Sequence, residues 1–474
     1  MSVIPYDLVV IGSGPAGEKG ASAAALLGKR VAVIEKNPYL GGASTNTGTL
    51  PSKTLRETAL ALSGFRAREL YGVDLSLRRE ATIRDFMHHE TRVKDSERLR
   101  VRVNLHERKA DLYTGSAQFR DPHTLAIAGN DGAETLLRGE FILIATGSSP
   151  LHPEGFCFDD PQIHDSDEIL KLDRLPRSLA VIGAGVIGSE YACTFAALGA
   201  EVHIIDGRDS MMPFLDKEMS AELEKGIRHL GVQIHWKERV NTCARKGDLI
   251  RLCYESGGDL SVDGVLVAAG RQSNTGQLNL AAAGLTPGNR GLIVVDRNFQ
   301  SAVPHIYAAG DVIGFPALAS TSAEQARIAV SHAFGAYYKH DAAQLLPTGI
   351  YTIPEAAMVG ETEEALKQQC VDYVAGRAYY AANARGRIIG DHQGVLKLLF
   401  RRDNMKLAGV HIVGEQATEL VHIGMMAMQA GAGAQIFLDA CFNYPTLGDL
   451  YKNATFDAIL SMSNPATGGA AWQY

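Results

Sequence analysis

The sequence predicts an α/β protein in which two doubly wound domains are followed by a separate α+β domain. An internal repeat predicts the first part, because DLVVIGSGPAGEKGASAAALLGKRVAVIE at 7–35 is echoed by LAVIGAGVIGSEYACTFAALGAEVHIID at 179–206. Each copy combines an apolar run, a glycine turn, an Ala-rich stretch of helical period and a second β-branched run, which is the βαβ pattern of a parallel sheet. After LLPTGIYTIPE the residue pattern changes to strand-like runs that alternate with Ala- and Met-rich helical stretches, which predicts the third domain.

The elements around the two copies follow from local pattern. Residues 55–107 are helical in period and heavily charged, which is typical of a solvated helix face rather than a basic binding site. Strand-like alternation and turn signals then lead to FILIATGSSP, where Pro150 ends the first part of the first domain. Beyond the second copy the chain returns to the first domain through HIYAAGDVIG. Near the C-terminus, strands such as GVLKLLF and KLAGVHIV alternate with Ala- and Met-rich helices.

These patterns divide the chain into three predicted domains. The first comprises 1–150 and 276–345, the second 151–275, and the third 346–474. A length of 474 residues suits about three domains. With 46% apolar and 21% charged residues, the composition is that of an ordinary globular protein that can bury large cores.

Charge, cysteine spacing and the N-terminal segment exclude several classes of function. A net charge of −7 and a pI near 6.1 argue against binding to nucleic acid or to an anionic membrane, and they favour small-molecule chemistry. The six cysteines form no Cys-x-x-Cys or metal-ligand spacing and the histidines none either, so we expect reduced thiols and no metal. Without a signal-peptide pattern, or an apolar run of the roughly 18 residues that a membrane span needs, the sequence predicts a cytoplasmic protein.

The first glycine loop follows the first predicted strand and consists of Gly12, Gly14 and Gly17 in a G-x-G-x-x-G pattern. In a Rossmann-like dinucleotide-binding loop, such glycines permit a tight turn, let a pyrophosphate approach the backbone and let the helix pack on the strand. Glu35 ends the second strand 23 residues after Gly12, where it can accept hydrogen bonds from a ribose. A purely structural turn is the alternative, but strand, helix and terminal acid in register favour a nucleotide site.

The second glycine loop, formed by Gly183, Gly185 and Gly188, has the same context and its second strand ends at Asp206. An acid at that position favours the free 2′-hydroxyl of NAD, whereas an arginine nearby accommodates the 2′-phosphate of NADP. Arg208 follows two residues later, so the sequence offers both groups. A solvated turn charge is the other reading of Arg208, and the nucleotide preference stays open.

Three further motifs accompany the loops: ATG at 145–147, between the two loops, and AAGR at 268–271 and AAGD at 308–311, after both. In this order they resemble the flavoproteins with two dinucleotide-binding domains, and the resemblance covers essentially the whole chain. It implies FAD in the first domain, NAD(P) in the second, a C-terminal dimerisation domain and a homodimer. It also implies that Asp311 bonds the FAD ribityl chain. The other positions that it places at the cofactors are Lys36, Gly42, Ala43, Thr49, Lys53, Gly115, Thr146, Gly147, Ser148, Glu190, Gly270, Arg271, Gly310 and Ala319.

Two features of that family's dithiol enzymes are missing. The stretch GGASTNTGTLPSK has Ser44 and Thr49 where dihydrolipoamide dehydrogenase and glutathione reductase carry a redox-active cysteine pair, so thiol–disulfide exchange cannot occur there. Tyr444 and Asp449 stand where those enzymes have the His and Glu that a partner subunit supplies to the thiol. The chain resembles the branch of soluble pyridine nucleotide transhydrogenases at PTGIYTIPE, GDVIGFPALAS and FNYPT. That branch has also lost the disulfide, although it usually keeps one cysteine at the position of Ser44.

The resemblance implies hydride exchange between NADPH and NAD⁺ through FAD, because the cofactors carry out this chemistry without a protein nucleophile. We expect a ping-pong cycle in which NADPH reduces FAD and leaves as NADP⁺ before NAD⁺ enters the same site and takes up the hydride. Lys53 matches the family lysine that pairs with Glu190, and a cation near the flavin stabilises its reduced form; a tie between two domains is the structural alternative. For Tyr444 and Asp449 a packed aromatic and a surface acid are the default, since a hydride shuttle requires no proton transfer.

Two other functions stay open at this point. The first is an NAD(P)H oxidoreductase that passes electrons from FAD to a quinone or another small acceptor, because a reduced flavin without a disulfide can reduce whatever reaches it. The second is a flavin-bearing or nucleotide-sensing protein with little turnover. Retention of Lys53, Glu190 and both glycine loops argues against the second function.

Overall fold

The computed structural model describes residues 2–63, 83–129, 133–172, 174–336 and 345–463. Part of the predicted helical region, at 64–82, and the last eleven residues of the predicted third domain, at 464–474, lie outside the described residues. Within the described ranges, no helix combines the length and the apolar character needed to cross a lipid bilayer.

The first sheet contains the strand that carries the first glycine loop. Its elements, with the helices around it, are β1 (Val3–Ile11), α1 (Pro15–Leu26), β2 (Val31–Glu35), α2 (Gly42–Asn46), α3 (Thr49–Leu62), α4 (Ile83–Glu107), β3 (Asp111–Thr114), β4 (Ser116–Asp121), β5 (Thr124–Ala128) and β6 (Glu134–Ile144). The next strand, β7 (Ser148–Pro150), is not part of this sheet. The strand order is β3-β2-β1-β6-β5-β4, with parallel pairs from β3 to β6 and antiparallel pairs from β6 to β4. Leu8 and Val10 pack in one core cluster and Val9 and Ile11 in another, so β1 is apolar on both faces.

The second unit repeats this arrangement. Its elements are β8 (Ile163–Asp165), β9 (Ser178–Ile182), α5 (Val186–Ala197), β10 (Glu201–Asp206), α6 (Lys217–His229), β11 (Gln233–Trp236), β12 (Val240–Lys246), β13 (Leu249–Tyr254), β14 (Asp259–Val262), β15 (Gly264–Val267) and β16 (Arg271–Ser273). A five-stranded parallel sheet has the order β11-β10-β9-β15-β8, and β12, β13 and β14 form a separate antiparallel sheet. The parallel pair β9–β10 joined by α5 matches the pair β1–β2 joined by α1, so the predicted βαβ repeat is confirmed.

The remaining elements return to the first sheet and then form the sheet of the C-terminal part, here termed the third sheet. They are β17 (Ile306–Ala308), α7 (Ala319–Ala333), β18 (Thr348–Ile350), β19 (Ala356–Gly360), α8 (Glu363–Gln368), β20 (Tyr373–Tyr379), α9 (Ala384–Ile388), β21 (Val395–Arg401), β22 (Leu407–Val413), α10 (Ala417–Gln429), α11 (Ala434–Asp439) and α12 (Leu450–Ser463). β17 pairs in parallel with β6, whereas the third sheet is antiparallel with the order β18-β19-β22-β21-β20. The predicted α/β class with a C-terminal α+β part is therefore confirmed.

A buried ionic cluster ties the second unit to the third sheet. Lys397, on β21, is 1% exposed, and its Nζ lies 2.9 Å from Asp216, 2.8 Å from Glu218 and 2.5 Å from Glu363. Asp216 and Glu218 are at the start of α6, and the Asp216 carboxylate caps that helix. Arg377, on β20, also binds Glu218 through two hydrogen bonds of 2.7 Å. The cluster therefore fixes α6 against the third sheet.

The charges of this cluster stabilise one another. Burial alone would raise the pKa of Glu363, but hydrogen bonds from Lys397 and Tyr373 and the charge of Lys397 lower it to about 2. The same balance lowers the pKa values of Asp216 and Glu218. Burial disfavours the ammonium of Lys397, yet its three carboxylate partners outweigh burial and raise its pKa. All four groups are thus ionised at neutral pH, and removal of the single lysine leaves the buried Asp216 without its cation and takes one cationic partner from Glu218 and from Glu363.

We expect Lys397→Met to lower the free energy of unfolding by about 3–5 kcal/mol, because buried carboxylates lose their cation. Urea denaturation followed by circular dichroism measures the difference from the wild-type protein. The matched control is Lys225→Met, which removes an exposed lysine paired with Glu222 and should cost less than about 1 kcal/mol. Equal losses in the two variants would contradict a stabilising role for the cluster.

The same comparison has a defined pH dependence. An acid with a depressed pKa stabilises the folded state above its ordinary pKa and loses this contribution as the pH falls through its folded-state value. For Glu363 the window runs from the ordinary value of 4.5 down to about 2. The stability difference between wild type and Lys397→Met should therefore be constant at neutral pH and shrink below pH 4.5. A difference that stays the same throughout this acid range would contradict the assignment.

Candidate active site

The first glycine loop joins β1 to α1 in a turn that only glycine fits. Gly12 has a φ of +103°, and a Cβ there would lie 2.3 Å from the carbonyl oxygen of Ala145. A Cβ on Gly17 would lie 1.9 Å from the Gly12 carbonyl oxygen, so this glycine lets the helix pack against the loop. Gly14 faces Gly42, whose Cβ would lie 2.7 Å from the Gly14 Cα. The loop and the start of α2 therefore approach each other backbone to backbone.

Glu35, at the end of β2, lies beside this loop. One carboxylate oxygen accepts hydrogen bonds from the Ser13 amide at 3.0 Å and the Ser13 hydroxyl at 2.7 Å, and the other accepts one from the Asn37 amide at 2.9 Å. A carboxylate has about four acceptor positions, so Glu35 keeps one for a ribose hydroxyl. Lys36 is exposed just beyond the strand.

The second glycine loop has the same turn and leaves open space at the N-terminus of α5. Gly183 has a φ of +109°, and a Cβ on Gly188 would lie 2.1 Å from the Gly183 carbonyl oxygen. A Cβ on Gly185, by contrast, would meet no atom within 4 Å. Gly185 is the N-cap residue of α5, where free amides and the helix dipole favour an anion. The open space and the amides fit a dinucleotide phosphate.

Asp206, at the end of β10, pairs with Arg208. The Arg208 Nε lies 2.9 Å from Oδ1 and its Nη2 2.6 Å from Oδ2, and the Ala184 amide of the second glycine loop donates to Oδ2 at 2.7 Å. Burial opposes ionisation of Asp206, but these hydrogen bonds outweigh it and hold its pKa below the ordinary range. The structure thus brings the predicted acid, the predicted arginine and the glycine loop together.

Lys53 and Glu190 meet where α3, α5 and Tyr351, the residue after β18, come together. The Lys53 Nζ, on α3, lies 2.5 Å from Glu190 Oε2, on α5. The other oxygen of Glu190 accepts a hydrogen bond of 2.9 Å from the Tyr351 amide, and the ammonium lies 5.0 Å from the centroid of the Tyr351 ring. The Glu190 side chain is 8% exposed and that of Lys53 is 26% exposed. The carboxylate is therefore bound from two sides, while part of the ammonium stays accessible.

One turn further along α3, Arg56 forms a second ion pair between elements, which was not predicted from the sequence. Its Nη2 lies 3.1 Å from Glu355 Oε1, and its Nε donates to the Thr352 carbonyl oxygen at 3.1 Å. The other Glu355 oxygen accepts hydrogen bonds from the amide and hydroxyl of Thr418. Two cations on α3 therefore bind carboxylates from two other parts of the fold.

At the first of the two positions that lack a cysteine, the Ser44 hydroxyl binds the backbone. The Ser44 hydroxyl donates to the Gly41 carbonyl oxygen at 3.1 Å, and the Ala43 carbonyl oxygen accepts the Thr47 amide at 3.0 Å. Thr49 begins α3. The free cysteines all lie elsewhere in the sequence, at Cys157, Cys193, Cys243, Cys253, Cys370 and Cys441. The stretch 41–53 thus keeps an ordered turn and contains no thiol.

A chain of hydrogen bonds joins three other predicted positions. The Ser148 hydroxyl donates to Asp311 at 2.7 Å and accepts from the Arg271 Nε at 2.8 Å. Arg271 Nη1 lies 3.6 Å from Asp167, which also receives a hydrogen bond from Thr47. Burial raises the pKa of Asp167 and outweighs the charge of Arg271. Asp167 was not among the positions predicted from the sequence.

The ATG motif has an unpaired hydroxyl beside open space. Thr146 Oγ1 is buried and has no hydrogen-bond partner among the described residues, and a Cβ on Gly147 would meet no atom within 4 Å. An orphaned hydroxyl beside open space fits a polar ligand such as a flavin. The remaining predicted positions lie at element ends: Gly115 after β3, Gly270 before β16, Gly310 after β17, and Ala319 at the start of α7.

Tyr444 and Asp449 are not joined to these residues within the chain. The Tyr444 side chain is 73% exposed, and the Asp449 carboxylate accepts a hydrogen bond of 3.2 Å from Asn453. In the ranges that the structure describes, neither side chain forms a hydrogen bond or an ion pair with Lys53 or Glu190.

The chain is similar over nearly its whole length to bacterial proteins named soluble pyridine nucleotide transhydrogenase. The protein of Mycobacterium bovis (strain BCG / Pasteur 1173P2) is 46% identical over 460 residues, which cover 96% of this chain and 98% of the relative. The protein of Enterobacter sp. (strain 638) is 40% identical over 458 residues, which cover 96% and 98% of the two chains.

Solved structures and family matches agree with this similarity. The HOCl-induced flavoprotein disulfide reductase RclA from Escherichia coli has a TM-score of 0.86 at 27% identity and covers 95% of this chain and 99% of its own. LpdA from Mycobacterium tuberculosis has a TM-score of 0.87 at 25% identity and covers 96% and 99%. Residues 6–333 match the pyridine nucleotide-disulphide oxidoreductase family, and 346–455 match the dimerisation domain of that family. The chain therefore belongs to the pyridine nucleotide-disulphide oxidoreductase family.

Proposed function

We propose that the protein is a FAD-dependent transhydrogenase that moves hydride between NADPH and NAD⁺. The observation that carries the proposal is the contact of Lys53 with Glu190 beside a segment that has no thiol. The site keeps the ion pair between its two nucleotide-binding units, but it offers no sulfur for disulfide chemistry. The two relatives at 46% and 40% identity, both named as transhydrogenases, support the same reaction.

Each glycine loop would hold one dinucleotide. The first loop with Glu35, and the contact of Ser148 with Asp311, would hold FAD; the second loop with Asp206 would hold the pyridine nucleotide. Bound FAD supplies a two-electron acceptor and donor for hydride, so no protein nucleophile is needed. Lys53 keeps its ammonium where it can offset the negative charge of a reduced cofactor. We propose that NADPH and NAD⁺ use the same pyridine nucleotide site in turn, which is a ping-pong order.

The proposed division of the chain follows these cofactors. Residues 1–150 with 276–345 would bind FAD, 151–275 would bind NAD(P), and 346–474 would form the subunit interface.

A homodimer is the proposed assembly. Residues 346–455 match a dimerisation domain, and five large apolar side chains between residues 426 and 460 are exposed in the single chain. They are Met426, Ile436, Tyr444, Phe456 and Leu460. Tyr444 and Asp449 would lie at or near this interface, at the positions of the acid–base pair of dithiol enzymes. Hydride transfer requires no proton transfer, so the proposed reaction does not need such a pair. We also propose that the protein works in the cytoplasm, which agrees with the word soluble in the names of its relatives.

Anaerobic mixing of the FAD-loaded protein with NADPH and thio-NAD⁺ tests the reaction. We expect thio-NADH to form and double-reciprocal plots to be parallel, because one site is used by two substrates in turn. Phenylarsine oxide, which captures paired thiols, should leave the rate unchanged. Rapid quinone reduction without thio-NADH would favour an oxidoreductase with another electron acceptor. Reduction of the flavin by NADPH too slow for any turnover would favour a nucleotide-sensing protein.

We expect Lys53→Met to slow flavin reduction by NADPH by about 10²-fold and to lower the flavin midpoint potential, because a cation that favours the reduced cofactor is lost. Stopped-flow absorbance and a redox titration measure the two effects. Because Lys53→Met leaves Glu190 unpaired, the double variant Lys53→Met/Glu190→Gln is tested beside it.

The matched control for that experiment is the double variant Arg56→Met/Glu355→Gln, which removes the neighbouring buried pair on α3. It should cost stability without changing the flavin potential. If both double variants changed stability alike and neither changed the potential, Lys53 and Glu190 would be a structural tie only.

We expect Gly185→Ala to raise the KM for NADPH by about tenfold or more, equivalent to at least ~1.4 kcal/mol, because the added methyl occupies the open space at the loop. The fold should tolerate the change, since this Cβ would meet no atom within 4 Å. Gly188→Ala should destabilise the protein instead, because its Cβ would lie 2.1 Å from a carbonyl oxygen. Gly276→Ala, also without neighbours within 4 Å, is the neutral control. An unchanged KM in Gly185→Ala would exclude the proposed phosphate position.

A further inference from the structure

A transhydrogenase must bind two different nucleotides, and the end of β10 would face the part in which they differ. The inference drawn from this place rests on the proposed function. NADPH carries a phosphate at the adenosine 2′ position, and NAD⁺ carries a hydroxyl there. A single site that serves both nucleotides must bind a dianion in one half of its cycle and a neutral hydroxyl in the other. An acid suits the hydroxyl and an arginine suits the phosphate.

Asp206 has no acceptor position left in the structure. Its Oδ2 accepts hydrogen bonds from the Ala184 amide at 2.7 Å and from Arg208 Nη2 at 2.6 Å. Its Oδ1 accepts from the Arg208 amide and from Arg208 Nε, both at 2.9 Å. A carboxylate accepts about four hydrogen bonds, so a ribose hydroxyl can bind Asp206 only if the Arg208 side chain moves away. With Arg208 in place, the acid is neutralised and does not repel a phosphate.

A second arginine, Arg239, is held next to this pair by the backbone. The loop between β11 and β12 is fixed to the end of β10 by hydrogen bonds from the Lys237 amide to the Arg208 carbonyl oxygen at 2.9 Å and from the Glu238 amide to the Asp206 carbonyl oxygen at 3.2 Å. On its other side, the Arg239 carbonyl oxygen accepts the Glu255 amide at 2.9 Å. The position of Arg239 is therefore set by backbone contacts on both sides.

The side chain of Arg239 passes over Gly207. A Cβ on Gly207 would lie 2.9 Å from the Arg239 Nε and 3.2 Å from its Cγ. Gly207 is not among the residues with positive φ, so its backbone conformation does not require glycine. Because Gly207 has no side chain, Arg239 has room directly beside Asp206 and Arg208.

Arg239 is also unpaired, unlike its neighbour. Within the described part of the chain its guanidinium has no carboxylate within 4.0 Å and no hydrogen-bond acceptor, and the residue is exposed. Arg208, in contrast, is bound to Asp206 through two nitrogens. A planar guanidinium with free donors is the group that binds phosphate oxygens best.

We propose that Arg239 binds the 2′-phosphate of NADP(H) and that the Asp206–Arg208 pair selects between the two nucleotides. With the pair closed, Asp206 is masked and the phosphate binds Arg239. With the pair open, the 2′-hydroxyl of NAD(H) donates to Asp206. The closed pair in the structure is the arrangement that favours NADP(H), and NAD(H) binds at the cost of the side-chain contacts between Arg208 and Asp206.

The test compares 2′,5′-ADP with 5′-AMP, which differ only in the 2′-phosphate, by isothermal titration calorimetry on the FAD-loaded protein. We expect Arg239→Gln to weaken 2′,5′-ADP about 10- to 100-fold and to leave 5′-AMP unchanged, because only the phosphate loses a charged partner. Arg208→Gln should weaken 2′,5′-ADP and strengthen 5′-AMP, because it unmasks Asp206. Arg245→Gln, which removes another arginine of the same unit that is paired with Asp160, is the control and should change neither.

The opposite signs for Arg208→Gln separate this mechanism from a general effect of positive charge. The proposal would be overturned if Arg239→Gln changed the affinity for both ligands equally or for neither. It would also be overturned if 2′,5′-ADP did not bind the wild-type protein. The titration involves no hydride transfer, so its result is independent of the thio-NAD⁺ experiment. The transhydrogenase assignment can fail while Arg239 discriminates the nucleotides, and the reverse also holds.

Discussion

The ion pair of Lys53 and Glu190 is the contact on which the arrangement of the site depends. The carboxylate is nearly buried, and it is satisfied only if α3, α5 and the strand region at Tyr351 come together, since each supplies one of the groups around it. A buried carboxylate without partners is strongly destabilising, so the requirement to pair Glu190 restricts how the two nucleotide-binding units can pack. Arg56, one turn along α3, adds the same restriction toward Glu355. Geometry and charge at the site are thus set by the same two contacts.

The loss of the thiols has left this scaffold in place. The stretch 41–53 still forms a turn and the start of α3, with the Ser44 hydroxyl bonded to the backbone at Gly41. Under the proposed function, the stretch would contribute the ammonium of Lys53 to the chemistry rather than a reactive group. Asp167 approaches this stretch through Thr47 and reaches Arg271 on its other side, which links the former cysteine region to the Ser148–Asp311 contact. The proposed site therefore keeps charged groups that can bind and orient a cofactor at a place that has no thiol for covalent chemistry.

Buried charge also connects the second unit to the third sheet. The Lys397 cluster places a fully buried ammonium among three carboxylates, an arrangement that hydrophobic residues could replace with equal or greater stability if stability alone mattered. Its directional contacts specify how α6 lies on the third sheet, which in turn orients the unit that carries Asp206. The network at Lys53 joins that unit to α3, and the network at Lys397 joins it to the third sheet. The relation between the second unit and the third sheet is therefore held by ion pairs as well as by apolar packing.

The sequence by itself determined the fold class, the two βαβ units, the glycine loops and the acids that end their second strands. These features are local: a repeat of apolar runs, turns and helical periods is legible within about 30 residues, and the glycines are required by the turn itself. Resemblance supplied the pairing of Lys53 with Glu190. Only the tertiary structure decided that Asp206 is saturated by Arg208, that Arg239 is unpaired beside it, and that Lys397 is buried among acids. Such contacts join residues far apart in the chain, and no local period or spacing encodes which side chains packing will bring together.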